Sequence, residues 1–455
     1  MSNSKIPHIL AFVGIVIYSL MDANFAIVSM WVIFGWLGNH LTLKLSLGKE
    51  ASLLFTSTYS LYTIYLIVTN YVLVRDPNFD FFYAIDSIKF WRNSEYVSSV
   101  TDLIDKYQSN ISKYGGTYEY RLFNLLCLVI AYLSSFFGEN SVLIQKFQCV
   151  FFGALSMPLI YGIILHYTKS IKYSFNATLI FAIFSFVSTF SIVFSRDIHV
   201  YFLYTLATYL VIYGIGRPRT LVYLLLLVPI TFFIRFEHGI FIAVFAWAFM
   251  YLSPKRYLKY YMPFLVSIPI LIVIGSRFLF FALDTYDSYS QSRMDAAGET
   301  DSLAVMFSNF PIGIKQLLLA FISQTAPLPF WRNLGFGEID SKSVAAQTHH
   351  ILRFMEGISG TVWIGVWGII FYGAFKKYAY LITKEMRVLF LISLMLILAT
   401  TADIHVRRVF AVYPIIFAVA SIFYFSFSKE QRTAAISRSV LFIIILYTVY
   451  FLIKI

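Results

Sequence analysis

An all-α, polytopic transmembrane bundle of about thirteen spans is the fold class this sequence predicts, on three observations. The first is composition. Of the 455 residues 59% are hydrophobic and 13% charged, with a mean hydropathy of +0.75, whereas soluble domains are roughly one quarter charged. The second is that apolar runs of near-spanning length recur from end to end without the apolar–polar alternation of a barrel strand. Lipid accepts only helices or closed barrels, so continuous apolar runs mean helices. The third is that Lys and Arg gather in short connections at alternate gaps between the runs.

The candidate spans are 8–21, 24–41, 51–74, 141–167, 174–194, 200–214, 221–234, 238–252, 260–283, 357–375, 388–402, 408–427 and 438–455. They form one integral membrane domain, 1–455. The N-terminal run shows no small-residue cleavage pattern and reads as the first span rather than a signal peptide. Lys44 and Lys49 lie in one short connection, Lys169 and Lys172 in another, then Arg217 and Arg219, then Lys255, Arg256 and Lys259. Lys376, Lys377, Lys384 and Arg387 follow, then Lys429, Arg432 and Arg438. If these connections are cytoplasmic, orientation alternates along the whole chain. The external connections are then 75–140, 195–199, 235–237, 284–356 and 403–407, two of them long enough to carry short helices. Residues 121–137 (RLFNLLCLVIAYLSSFF) are apolar enough to span, but spanning would invert every later loop. They are therefore expected flat at the outer interface, or re-entrant.

The net charge of +12 fits headgroup contact by these basic turns better than nucleic-acid binding. Cys127 and Cys149 sit in apolar surroundings and make no metal or disulfide framework. No Walker A, GxGxxG or GxSxG motif is placed to work, and no HExxH spacing occurs. No metal or cofactor is expected, and a nucleotide-driven pump or nucleotide-sugar enzyme is disfavoured.

Ionisable chemistry concentrates on the external side. The acids of the cytoplasmic loops are Glu50, Glu385 and Glu430, and five of the eight histidines (His199, His238, His349, His350, His405) fall outside. Five stretches carry this chemistry. VRDPNFDFFYAIDSIKFW (74–91) places Asp76, Asp80 and Asp86 just past a span, where a carboxylate can act as a base or orient a sugar hydroxyl. Asp76-Pro77 also reads as an ordinary helix start. FSRDIHVYF (194–202) holds Arg196, Asp197 and His199 in a turn suited to bidentate phosphate binding, or simply to closing a loop. IRFEHGIF (234–241) sets Arg235, Glu237 and His238 between two spans with almost no linker. Charges so near apolar flanks are paired or face a cavity, and a plain Arg235–Glu237 pair is the alternative. TADIHVRRVFAVYP (401–414) offers Arg407 and Arg408 for anion capture or headgroup anchoring. The loop 284–356 is too long for a mere connector and ends in His349, His350, Arg353 and Glu356, which fit one helix. A lid over an outer cavity is its expected role. Arg277, inside the 260–283 span, either snorkels or points into that cavity.

Arginines for phosphate, carboxylates and histidines for hydroxyl protons, and aromatics for sugar faces together fit glycosyl transfer from a lipid-phosphate donor. Five pieces carry a resemblance: RDPNFDFFYAID (75–86), FGENSVLIQKF (137–147), FSRDIHVYFLYTLATYL (194–210), RFEHGIF (235–241) and HVRRVFAVYP (405–414). As spaced short patterns they cover most of residues 50–425. They resemble the GT-C glycosyltransferase superfamily, and in their order the bacterial polysaccharide polymerases of the Wzy (O-antigen) type, EpsG-like members included. Two spans before Lys44 depart from the simplest GT-C plan, in which the Asp loop follows the first span, and agree better with EpsG-like chains.

The resemblance implies a GT-C-like bundle in the bacterial inner (plasma) membrane, its active site facing the periplasm or cell exterior. It implies a polyprenyl-diphosphate-linked oligosaccharide as substrate, the lipid bilayer as setting and a chain-length regulator protein as a partner. Asp80 or Asp76 would be the base or acceptor-orienting group. Arg196, Arg235, Arg407 and Arg408 would bind the departing diphosphate, with Asp197, Glu237 and Arg353 completing the substrate-binding set. His238 or His349 would assist proton transfer. Two other readings stay open: a GT-C transferase using a polyprenyl-monophosphate sugar, and a lipid-linked sugar transporter. Polar groups gathered at the outer ends, rather than spread through the bilayer depth or in repeats, favour an enzyme.

Overall fold

A computed structural model describes residues 6–69, 85–113, 121–254, 344–400 and 409–454, together with 259, 261–262, 314, 317–318, 320–321 and 324. It is 87% helical, with no strand among the described residues. The helices are α1 (Ile6–Met21), α2 (Phe25–Lys44), α3 (Lys49–Ile67), α4 (Ile85–Ser94), α5 (Val100–Lys113), α6 (Arg121–Ser134), α7 (Val142–Thr168) and α8 (Ile171–Phe184). Then come α9 (Phe186–Phe190), α10 (Asp197–Gly214), α11 (Arg219–Ile234), α12 (Phe236–Leu252), α13 (Val344–Phe375), α14 (Lys384–Thr400), α15 (Tyr413–Ser426) and α16 (Lys429–Lys454).

Among the described residues, four helical stretches are long and apolar enough to cross a membrane: Phe25–Lys44, Val142–Thr168, Phe354–Phe375 and Lys429–Val449. Shorter apolar helices accompany them, among them α1, α6, α8, α11 and α12. These helices indicate a membrane-embedded protein. Expected span 260–283, Arg277 included, lies outside the described residues except for Tyr261 and Met262.

α7 is the axis of the bundle. Its 27 residues make a rod of about 40 Å, buried along most of its length and packed by α2, α3, α6, α8, α10 and α15. Small residues allow the close approach that drives packing in lipid. A Cβ on Gly153 would sit 1.9 Å from Ser191 Oγ, and one on Gly162 would sit 2.9 Å from both Leu47 and Tyr209.

Two elements differ from the sequence reading. The expected span 174–194 is not one helix. Ser185 takes an extended conformation (φ −94°, ψ 165°) and its hydroxyl caps α9 by accepting from Val187 N, so the chain breaks there. The end of the expected loop 284–356 is helical, as its spacing allowed, but it is no separate helix: α13 starts at Val344 and runs unbroken through the expected span 357–375. The stretch 121–137 is helical over Arg121–Ser134 only. Its 14 residues reach about 21 Å, short of a bilayer core of about 30 Å. It packs against α4, α5 and the N-terminal part of α7.

Side-chain contacts sort the connections between two ends. At one end Lys384 Nζ lies 4.4 Å from the Tyr251 ring. Tyr378 Oη donates to Gln431 Oε1 at 2.8 Å, Tyr173 Oη donates to Ser421 O at 2.8 Å, and Arg432 donates to the Tyr424 and Phe425 carbonyls. These contacts join four of the basic connections. At the other end Asn24 caps α2 through Ala26 N and ties it to Glu139, accepting from Glu139 N at 3.2 Å and donating to Glu139 O at 2.8 Å. Gly138 is required there, since a Cβ would fall 2.4 Å from Asn24 Oδ1. The start of α7, and through it Ser195–His199, belong to this second end.

Candidate functional site

The site grows from two sharp chain reversals. α11 ends at Ile234 and α12 begins at Phe236, so Arg235 alone joins them. Arg235 is extended (φ −157°, ψ 112°) and its N–H donates to Thr231 O. Its own carbonyl accepts from His238 N at 3.2 Å. So tight a reversal needs a glycine in the next turn. A Cβ on Gly239 would lie 2.8 Å from Phe232 Cα and 3.0 Å from Phe232 N. The second reversal precedes α10. Ser195 Oγ accepts from Asp197 N at 3.3 Å and hydrogen-bonds Asp197 Oδ2 at 3.4 Å, which turns the chain into the helix.

These reversals bring SRD and RFEH together. Arg235 NH1 hydrogen-bonds Asp197 Oδ1 in a close ion pair, and Arg235 Nε donates to Glu237 Oε1 at 2.9 Å. The side chains of Arg235 and Asp197 are 8% and 7% accessible, while that of Glu237 is 38% accessible. Arg196 NH1 donates to Ile234 O at 3.1 Å, meeting a carbonyl left over at the end of α11, where a cation is favoured. Glu237 stands in the first turn of α12, where an anion is favoured. Burial works against its charge, but the Arg235 guanidinium, helped by Arg196, prevails and holds the carboxyl well below the usual range. Glu237 is thus held as an ionised hydrogen-bond acceptor.

His238 is buried behind this cluster. Its Nδ1 lies 2.9 Å from Tyr204 Oη on α10, and its ring packs edge-on to Tyr204 and Phe241. His199 belongs to a different network. Its Nε2 lies 3.2 Å from Gln148 Oε1, Gln148 Nε2 donates to Gln145 Oε1 at 3.0 Å, and Gln145 Nε2 donates to Asn140 Oδ1 and to Cys127 O. Asn140 Nδ2 then donates to Ser94 O at 2.8 Å. Four buried or half-buried side chains thus connect α4 and α6 to the first turn of α10, the turn that holds Asp197.

Of the residues singled out from the sequence, Arg196, Asp197, Arg235, Glu237 and His238 come together. His349 and Arg353 stand one turn apart on α13, which packs against α8, α9, α15 and α16. Glu356, one turn further along, is buried. Asp76, Asp80, Arg407 and Arg408 lie outside the described residues. Sequence reasoning missed Tyr204, Gln145, Gln148 and the buried Lys146. A signal was present in the last three: QKFQ (145–148) puts two amides and an amine near the start of an otherwise apolar span.

No protein-family model matches this chain, and neither the curated proteins nor the solved structures include a match to it. The functional reading therefore rests on the residues themselves. A guanidinium oriented by two carboxylates, with a second guanidinium beside it at a membrane-protein helix end, can bind and orient an anionic headgroup. It can also hold α10 to the α11–α12 hairpin.

Proposed function

We propose that this chain is a glycosyltransferase that polymerises polyprenyl-diphosphate-linked oligosaccharide repeat units at the outer leaflet of the bacterial inner membrane. In this reading it is a GT-C-like bundle of about thirteen spans with the Arg235 end outward. The observation that carries the proposal is the Asp197–Arg235–Glu237 cluster with Arg196 against it, at the bundle end opposite the basic turns. The hydroxyl oxygen of the acceptor attacks the anomeric carbon of the donor, and a new glycosidic C–O bond forms. The bond from that carbon to the diphosphate oxygen breaks, and the electron pair leaves with the diphosphate. Arg196 and Arg235, joined by Arg407 and Arg408, stabilise the charge that develops there. The acceptor proton passes to a carboxylate, Asp80 or Asp76. In this reading Arg353, on α13, completes the substrate-binding set and His349 assists proton transfer; most of the loop expected to act as a lid lies outside the described residues.

The test is glycan chain length in cells lacking a native polymerase, complemented with wild type, Asp80→Asn or Glu237→Gln at matched membrane abundance. Long chains from wild type and single repeat units from Asp80→Asn support the reading. Wild type that changes only one sugar on a lipid would replace it with the monophosphate-donor transferase.

A further inference from the structure

The Tyr204–His238 contact decides what His238 can do. A tyrosine hydroxyl keeps its proton at neutral pH, its ordinary pKa being about 10. Tyr204 is buried, at 1% accessibility, and leaving a buried hydroxyl proton without an acceptor is costly. Among the described residues the partner of its hydroxyl is His238 Nδ1, at 2.9 Å. A proton on Nδ1 would force the phenolic O–H to turn away and leave a buried donor unmet. A neutral imidazole has one N–H and one lone pair, so the lone pair belongs at Nδ1 and the N–H at Nε2. His238 follows directly on Glu237, and its backbone N donates to Arg235 O at 3.2 Å. Nε2 is the edge of the ring turned away from Tyr204.

We propose that Tyr204 is a positioning residue that holds His238 as the Nε2–H tautomer, making His238 a hydrogen-bond donor to the departing diphosphate and not the base for the acceptor hydroxyl. This rests on the polymerase reading for the identity of the anion, but the tautomer stands apart from it. During transfer Nε2–H hydrogen-bonds the diphosphate oxygen as it takes the electron pair of the breaking C–O bond. The proton stays on Nε2, and the acceptor proton goes to the carboxylate.

Two experiments test this. The first needs no turnover. Protein with ¹⁵N-labelled histidine rings is reconstituted in lipid nanodiscs and studied by solid-state NMR, with His238 assigned by its loss in His238→Gln. Protonated and bare ring nitrogens resonate far apart. The expected result is a protonated Nε2 and a bare Nδ1 at neutral pH, with the tautomer preference lost in Tyr204→Phe. A proton on Nδ1 in wild type, or a spectrum that Tyr204→Phe leaves unchanged, overturns the proposal. The second compares His238→Gln with His238→Leu in glycosyl transfer. The glutamine amide offers an N–H near the position of Nε2–H but cannot take up a proton. Glutamine is expected to keep kcat within about tenfold of wild type while leucine loses about a hundredfold or more, with KM changing less than kcat. A glutamine variant as inactive as the leucine variant would make His238 a base and refute the donor role. If wild type transfers nothing, the polymerase reading fails while the tautomer result still stands.

Discussion

Arg235→Leu separates the two ion pairs at the junction of α10, α11 and α12. It leaves Asp197, 7% accessible in its side chain, without its guanidinium, and Glu237, 38% accessible, without the same group. The two losses differ in size. A partly exposed pair such as Glu237–Arg235 is worth about 0–1 kcal/mol. Breaking a buried pair costs about 3–5 kcal/mol, because the remaining buried charge loses its partner's compensation. Asp197 can escape that penalty by binding a proton. From an ordinary carboxyl value of about 3.9, protonation at pH 7 costs about 4 kcal/mol, which sets a ceiling of similar size. Arg235→Leu should thus lower the unfolding free energy by about 3–4 kcal/mol, and Glu237→Gln by under about 1 kcal/mol. Arg235→Leu combined with Asp197→Asn should recover part of the loss, since the Asp197 charge that had lost its guanidinium is gone too.

The pH dependence follows in sign. In Arg235→Leu the buried Asp197 carboxyl binds its proton more tightly folded than unfolded, so stability drops as pH rises above about 4. In wild type Glu237 is held below its ordinary value. Its contribution is full above the ordinary carboxylate range and is lost as pH falls. The wild-type and variant curves therefore converge toward pH 4 and separate toward pH 7. SDS-titrated unfolding in mixed micelles at several pH values measures this. A variant within about 1 kcal/mol of wild type at pH 7, or a deficit that grows in acid, would refute the reasoning.

Gly239→Ala should open the α11–α12 reversal, because its methyl would press on the Phe232 backbone; a loss of about 1–3 kcal/mol is expected, read by the same titration. Gln148→Leu cuts the link between His199 and Gln145 and should cost about 1–3 kcal/mol for the polar groups left unmet, with faster hydrogen exchange in α6 and the first turn of α10. Asn24→Ala removes both the α2 cap and the tie to Glu139. A loss of about 0.5–2 kcal/mol is expected for the cap alone, and Gly138→Ala should be milder if Asn24 is already alanine, since the atom it would strike is gone.

The helices were legible because lipid makes apolar length almost sufficient to define them. Lys384 and Tyr251, or Arg432 and the end of α15, meet where charge alternation put them. The break at Ser185 was not legible, since FSFVSTFS stays apolar across it and only the local Ser185–Val187 cap ends α8. SRDIH and RFEHGIF were readable as polar interruptions beside apolar runs. Their meeting was not, because Asp197 and Arg235 are brought together by the packing of α10 on α11, which no spacing within either motif encodes. The suspected local pair of Arg235 and Glu237 exists, but it is the more exposed of two. Tyr204 looked like one more aromatic in a chain with 33 tyrosines, and only the packing of α10 against α12 sets it on His238. The helix over His349, Arg353 and Glu356 was legible in their spacing, but its continuity with the apolar run 357–375 was not, because 344–356 is polar enough to resemble loop.

The central claim is polymerisation, and a purified system tests it most directly. The protein in nanodiscs would be given a polyprenyl-diphosphate-linked oligosaccharide as both donor and acceptor, and the products sized by gel and mass spectrometry. The account predicts a ladder spaced by one repeat unit, one polyprenyl diphosphate released per bond formed, and loss of the ladder in Asp80→Asn. Transfer of a single sugar from a polyprenyl-monophosphate donor, with no ladder from the diphosphate-linked oligosaccharide, would contradict it.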